Sequence, residues 1–396
     1  MESEKLERLT SESFTQFVKG NENADVSRLL LGNAPDGVDK KEAAEQILSR
    51  KKAKNKLPNW HSQKGLVFPP PLSIEQSSSQ KTAEYKKKLL SGNHIVDLTG
   101  GMGVDLICLS DCFKKATHVE ISSWLSGVFK HNSQVLSNNQ IEVVNQSAEE
   151  FLNQFLGKAI FFIDPARRDD AKRKVFLFED CSPNVVEMLP LFEKRAEKVL
   201  VKAAPMIDVS LGINQLKHVS EIHVVSLNNE CKEVLFLLDF TFSGTPKIHC
   251  VNLKGDEEEL FTFDFDEEKQ AEAKFRDVSK YLYEPNASIR KAGAFKSIAS
   301  GFGLAKIAPN THLYTSEELI ENFPGRAFAV LGEVNKKNIK TFFPEGKANV
   351  ISKNHPLTPE QIKKKFGLKD GGGSFLIGMG SAGKNAVLVS ANRVNS

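Results

Sequence analysis

Between residues 94 and 240 short apolar runs alternate with helical stretches, and this alternation limits the fold more than any other feature of the chain. "HIVDL", "ATHVEI", "IEVVN", "AIFFID", "KVLVKAA", "EIHVVSL" and "EVLFLLDF" are seven strand candidates, with "VDLICLSDCF" and "SWLSGVFKHNSQVL" as helical segments between the first three. Short apolar strands joined by helical crossovers predict a parallel, doubly wound α/β sheet covered on both faces. The spacing of the last two runs suits a closing antiparallel pair.

The flanks read differently. The first 60 or so residues carry apolar positions at helical spacing and predict a small helical domain. "VFPPPLSIEQSSS" has three consecutive prolines and is expected to be an extended connector. "SQKTAEYKKKLLSG" is helical again, with Gly92 placed to end it. After 240 an acidic stretch, "GDEEELFTFDFDEE", leads to "YLYEPNASIRKAGAF", which is expected to be helical beyond Pro285. "TPEQIKKKFG" has Thr358 as N-cap, Pro359 at the first helical position and Gly367 at the close, between strand candidates. The expected domains are 1–70, helical; 71–242, the sheet; 243–325, an acidic connector and a small α+β, ferredoxin-like region; and 326–396, a basic α+β unit.

Composition narrows the functional classes. The chain has 396 residues, a 40 % apolar fraction and no apolar run of transmembrane length. Its acidic, polar start is unlike a secretory signal, so a cytoplasmic protein is expected. Five cysteines without a CxxC pair suggest reduced thiols, and the nine histidines show no ligand spacing, so no metal is expected. From Glu333 to Ser396 there are 11 Lys or Arg and four Asp or Glu, a balance of +7 within a chain of net +3. "RKKAKNK" at 50–56 is a second basic run. Such segregation suits a face turned to a polyanion, and equally a solvated lysine-rich surface.

"HIVDLTGGMGVDL" puts Asp97 at a strand end and Gly100, Gly101 and Gly103 in the turn to a helix. Glycines there let a ligand approach the backbone and the helix N-terminus. Glu120 ends the next strand, 23 positions on, where an acid that binds ribose hydroxyls is expected. Leu106 stands where a dinucleotide site needs its third glycine, and there is no GK[ST]. A plain tight turn and a nicotinamide site stay open on these residues. The loop, with Thr99 and Asp105 beside its glycines, also resembles the first motif of class I S-adenosylmethionine-dependent methyltransferases.

"IFFIDPARRDD" ends a strand in Asp164, followed by Pro165, Ala166, Arg167 and Arg168. A carboxylate there can hold an acceptor amine and accept charge as its nitrogen becomes cationic, and the proline fixes the turn. Amine methyltransferases similar to this one carry Asp/Asn-Pro-Pro and an aromatic ring at this corner. Here Ala166 and Arg167 stand in those places, and a guanidinium can stack on a base or bind phosphate. Arg167 and Arg168 can also open a helix paired to Asp169 or Asp170. Lys202 suits either a salt bridge or a ligand phosphate, and with Asp164 it forms half of the set that a ribose-hydroxyl methyltransferase would need.

"VDLTGGMGVD", "FIDPARRD", "EDCSPNVVEML", "VKAAPMID", "YEPNASIRKAGAF" and "KNHPLTPEQIKKKFGLKDGGGSFLIG" together resemble one bacterial family of class I methyltransferases with a THUMP-like C-terminal domain. The resemblance implies a Rossmann-like seven-stranded sheet and S-adenosylmethionine as cofactor. It places Asp97, Thr99, Gly101, Gly103, Asp105, Glu120, Ser147 and Ala148 around the cofactor, with Gln76, Ser78 and Thr82 folded over it. Asp164, Pro165 and Arg167 become the catalytic corner. The implied partner is structured RNA, ribosomal or transfer, held by the C-terminal domain and the 50–56 run. A methyltransferase for proteins or small molecules, and an inactive RNA-binding protein, are the rival readings.

Overall fold

The computed structural model describes residues 2–137, 139–168, 177–381 and 386–394. It divides into two compact units, Met1–Ser220 with Val234–Ser243, and Glu221–Glu233 with Gly244–Ser396.

The first unit opens with helices Glu2–Thr10, Glu12–Gly20, Val26–Leu31 and Lys40–Lys56. Ser11, Asp25 and Asp39 cap the last three, each side chain accepting from a backbone N–H of the first turn. The helices close over Leu9, Phe14, Val18, Leu29, Ala43 and Ile47. The basic run lies on the last of them, and most of its cations are held within the helical layer. Arg50 lies 3.6 Å from Glu22, Lys51 donates to the Ala24 carbonyl, Lys52 pairs with Glu75 and Lys56 donates to the Glu75 carbonyl.

The proline stretch is an extended connector through Pro70, as its sequence suggests, but only as far as the third proline. Val67 to Pro69 are tied to their neighbours through Gln46, Ser49 and Asn132, and a helix begins at the third proline, Pro71–Gln76. A proline's fixed φ suits the first helical position, where no N–H is needed. Gly92 likewise does not end its helix. That helix is Gln80–Lys87, and Gly92 opens a strand against Phe113.

The strands are β1 (Gly92–Asp97), β2 (Phe113–Val119), β3 (Ile141–Val144), β4 (Ala159–Ile163), β5 (Ala196–Ala203), β6 (Val219–Leu227) and β7 (Glu230–Leu238). Within the first unit the order is β3-β2-β1-β4-β5-β7, parallel except for β7, which runs antiparallel to β5. Strand β4 is buried along its whole length, and β1 over its second half, with Ile95, Val96, Phe161 and Ile163 fully inaccessible. The β6–β7 hairpin turns at Asn228 and Asn229, both at positive φ, and β7 passes from the second unit into the first. The expected seven-stranded α/β pattern, with its antiparallel finish, is present.

In the second unit β8 (Lys247–Lys254) pairs in parallel with β6 and antiparallel with β9 (Glu257–Asp264). The acidic stretch is therefore an outer strand followed by the helix Phe265–Gln270, not a connector. Beyond it lie β10 (Tyr281–Pro285), β11 (Ala305–Ala308), β12 (Thr311–Ser316), β13 (Gly325–Glu333), β14 (Asn349–Lys353), β15 (Ser374–Met379) and β16 (Val387–Val394). They form one sheet in the order β11-β12-β10-β13-β16-β15-β14. Helix Pro359–Phe366 crosses between the parallel strands β14 and β15, with Thr358, Pro359 and Gly367 in the roles their sequence predicts. No helix among the described residues is long and apolar enough to cross a membrane.

Candidate active site

In a parallel sheet, groups at the carboxyl ends of neighbouring strands share one rim. Here that rim carries Asp97 at the end of β1, Glu120 one residue beyond β2 and Asp164 one residue beyond β4. Backbone bonds join them. Asp97 Oδ1 accepts from Thr99 N at 3.0 Å, and Thr99 Oγ1 accepts from Asp164 N at 2.7 Å. Glu120 accepts from Gly101 N through Oε2 at 2.7 Å and from Ser122 N through Oε1 at 2.8 Å. The strand ends and the glycine loop are thus one hydrogen-bonded assembly.

The glycines are required by what lies beneath the loop. A Cβ at Gly100 would stand 2.3 Å from His118 Nε2, and one at Gly103, where φ is +81°, would stand 2.1 Å from Phe129. His118 and Phe129 stack at 3.8 Å, 5° from parallel. Burial pushes the His118 imidazole down to about 4, so it is neutral, with Nε2 3.3 Å from the Gly101 carbonyl. Neither residue is singled out by sequence: His118 reads as one more position of a strand, and Phe129 as an apolar position of its helix.

Asp97 is 2 % exposed, and its carboxyl lies well above the usual range. Burial is the main cause, and the Asp105, Asp164 and Glu120 carboxylates add to it against the Thr99 N–H. A cation brought to this rim would reverse that balance. Asp105 behaves oppositely. Burial would raise its carboxyl, but Lys86, Lys202 and a hydrogen bond from Ser78 outweigh it and hold it low. Lys86 Nζ is 3.1 Å from Asp105 Oδ1, and Ser78 Oγ donates to Oδ2 at 2.7 Å. Asp105 therefore ties the helix Gln80–Lys87 to the loop's helix, Val104–Ser110. In "YKKKLL" the buried Lys86 is indistinguishable by sequence from its exposed neighbours.

The connector residues divide. Ser78 joins this buried pair, whereas Thr82 hydrogen-bonds to Ser79 at its helix start and Gln76 is exposed at a helix end. At the end of β3, Ser147 caps the helix Ala148–Gln154 in a reciprocal pair with Glu150, and Ala148 is buried.

At the arginine corner Asp164 Oδ2 is ion-paired to Lys202 Nζ of β5, the salt-bridge reading of that lysine. Pro165 is buried. Ala166–Arg167 then form a two-residue ladder with Cys181–Ser182, and Arg168 N donates to the Asp180 carbonyl. Arg167 thus lies in a strand and does not open a helix. Asp169 and Asp170 lie outside the described residues.

Two family models match the C-terminal region, a ferredoxin-like domain over residues 281–324 and a THUMP domain-like model over 325–392. A crystal structure from Porphyromonas gingivalis W83, described as a candidate methyltransferase, is 30 % identical and covers 96 % of this chain and 97 % of its own, with a TM-score of 0.87. The chain belongs to this family of class I methyltransferases with a THUMP-like C-terminal domain. Two Mycobacterium tuberculosis proteins, from strains CDC 1551 and H37Rv, are each described as an uncharacterized S-adenosylmethionine-dependent methyltransferase. Each is 22 % identical over 303 residues, 75 % of this chain and 80 % of the relative. The two C-terminal models fall on a single sheet of this methyltransferase, since β10 to β12 come from the first and β13 to β16 from the second.

Proposed function

We propose that this methyltransferase acts in the cytoplasm, transferring the methyl group of S-adenosylmethionine to a base nitrogen of structured RNA, ribosomal or transfer. The observation that carries the reading is the bond from Asp164 N to Thr99 Oγ1, which fixes the acceptor corner to the glycine loop. When bound, S-adenosylmethionine supplies a sulfonium whose methyl carbon is open to attack by a lone pair. The residues at the rim fit that ligand. Asp97, whose carboxyl is raised by burial and neighbouring carboxylates, would be relieved by a cationic partner. Each Glu120 oxygen has a second lone pair for a ribose hydroxyl. Ser147 and Ala148 are assigned to the adenine side, Gly101 leaves room for close approach, Gly103 lets the loop pass over Phe129, and Asp105 sets the loop's helix through Lys86. Gln76 and Thr82 belong to the segment proposed to cover the ligand.

For the transfer, Asp164 accepts a hydrogen bond from the acceptor's NH and aligns its lone pair, while buried Pro165 fixes the turn. Lys202 holds Asp164 in place through their ion pair, so the pair, not a lone carboxylate, meets the charge that develops on nitrogen. Asp164 would take the proton of the acceptor nitrogen along that hydrogen bond as the nitrogen becomes cationic. Arg167 is assigned to a base face or a phosphate. Support for RNA comes from the THUMP-like match and the +7 balance of the C-terminal stretch. The 50–56 run is a weaker candidate, because most of its cations are engaged within the helical layer.

Calorimetry with S-adenosylmethionine and its demethylated product tests the cofactor, with Asp97→Ala as control; transfer of tritiated methyl to cellular RNA tests the substrate. Asp164→Ala is expected to lose at least 100-fold in transfer while keeping cofactor affinity. Undiminished transfer by that variant would remove Asp164 from the chemistry, and label on ribose oxygen would favour the hydroxyl reading of the Lys202–Asp164 pair.

A further inference from the structure

The stretch "YEPNASIRKAGAF" builds a charged site of its own on the second unit. Glu284 on β10 is 2 % exposed and is met by three cations from three elements. Arg290, on the helix Ala287–Ala292, lies 3.1 Å from Oε1 and also donates to the Pro285 carbonyl at 2.8 Å. Lys353, at the end of β14, lies 2.7 Å from the same oxygen. Arg326 on β13 stands directly across the ladder from Glu284 and donates through Nε at 2.9 Å to Oε2. Gly325 makes that approach possible, since a Cβ there would lie 2.2 Å from the Glu284 carbonyl oxygen.

One buried carboxylate needs one cation for neutrality. Three cations leave two positive charges in excess, and their side chains keep 29–31 % of their surface exposed while the carboxylate keeps almost none. Like charges gathered this closely repel, and the arrangement suits a second anion on the exposed side. Burial pushes the His312 imidazole down to about 4, and the charged groups that act on it, Lys306, Lys353 and Arg290, are all cations. His312 stacks on Phe295 of the same stretch at 3.5 Å, and its Nδ1 is buried without a hydrogen-bond partner. Glu268, an acid that acts on Lys306, accepts from the backbone N–H groups of Phe295, Lys296 and Ser297, and Glu259 accepts from the side chains of Asn286 and Asn252.

We infer that Arg290, Arg326 and Lys353, seated on Glu284, form a binding site for a backbone phosphate of a polynucleotide. This rests on the RNA reading and assigns a place for the RNA on the C-terminal unit. Arginine forks match phosphate as they match carboxylate, and a phosphate contact positions a nucleic acid without reading its sequence.

The design gives a clean test. Replacing one cation leaves Glu284 paired with two, so Lys353→Gln and Arg290→Gln should fold. Fluorescence anisotropy of a labelled structured RNA would be followed over a salt series with the full chain, the two variants and Lys353→Arg. Each Gln variant is expected to lose about fivefold in affinity at physiological salt and to lower the log–log salt slope by about 0.9, and Lys353→Arg is expected to bind as the parent does. Parent and Gln variants with the same affinity and slope would overturn the site and leave the RNA reading standing. A parent protein that does not bind the RNA at all would overturn both. Circular dichroism melting of each variant separates loss of the site from loss of the fold.

Discussion

Asp97 and Glu284 are carboxylates buried to the same degree, 2 % exposed each, and they stand in opposite electrostatic states. Around Asp97 burial dominates, the Thr99 N–H opposes it, the carboxylates of Asp105, Asp164 and Glu120 add to it, and the carboxyl rises. Around Glu284 burial also pushes upward, but Lys353, Arg326 and Arg290 outweigh it and its carboxyl falls. Burial alone therefore says nothing about which form a carboxyl takes; the partners delivered by other elements decide it. The first site is short of positive charge and fits a cationic ligand. The second has positive charge in excess and fits an anionic one.

The comparison breaks most sharply at Glu284→Gln. Removing the carboxylate leaves three crowded cations, and a loss of about 4 kcal/mol in unfolding free energy at pH 7 is expected. The sign of the pH dependence follows from the depressed pKa. The stabilisation is complete above the unfolded value of 4.5 and disappears as pH falls through the folded value. Parent and variant should therefore converge in acid, and a difference that stays constant with pH in urea titrations would contradict the charge argument.

The floor of the glycine loop gives the next largest effect. His118 is held down to about 4 against an ordinary 6.5, so the unfolded chain takes up its proton first as pH falls. The stability it contributes is present above 6.5 and is lost towards pH 4, about 3 kcal/mol over that window. His118→Gln should flatten this part of the stability profile, whatever its effect on the absolute value.

Asp97→Asn should give the smallest change in stability and the opposite sign. A raised carboxyl pKa favours the folded state below about 3.8 and costs stability as pH rises above it. The amide should thus be more stable than the parent at pH 7, with the gain fading in acid. Its affinity for S-adenosylmethionine should nevertheless fall. A variant that is less stable at pH 7 would mean that Asp97 is ionised and paired in the free protein.

Much of this molecule was legible in its sequence. The seven strand candidates, the glycine turn after Asp97 and the capped helix at Thr358 all rest on local patterns, and each is present where expected. Local rules failed where neighbours competed. The third proline starts a helix because its φ suits that position, and Gly92 pairs with Phe113 in preference to ending a helix. The acidic stretch from 257 became a strand because β8 offered it an antiparallel ladder.

What only the tertiary structure decided is which charge meets which. Asp164 finds Lys202 38 positions away, Asp105 is held by Lys86 on a different helix, and Glu284 gathers Arg326 from 42 positions away and Lys353 from another strand. Apolar periodicity is written in neighbouring residues, since a strand or helix buries its face by local repetition. An ion pair has no such repeat. Its partners come together only when separate elements pack, and at that point a run of lysines divides into one buried beneath a loop and others left at the surface.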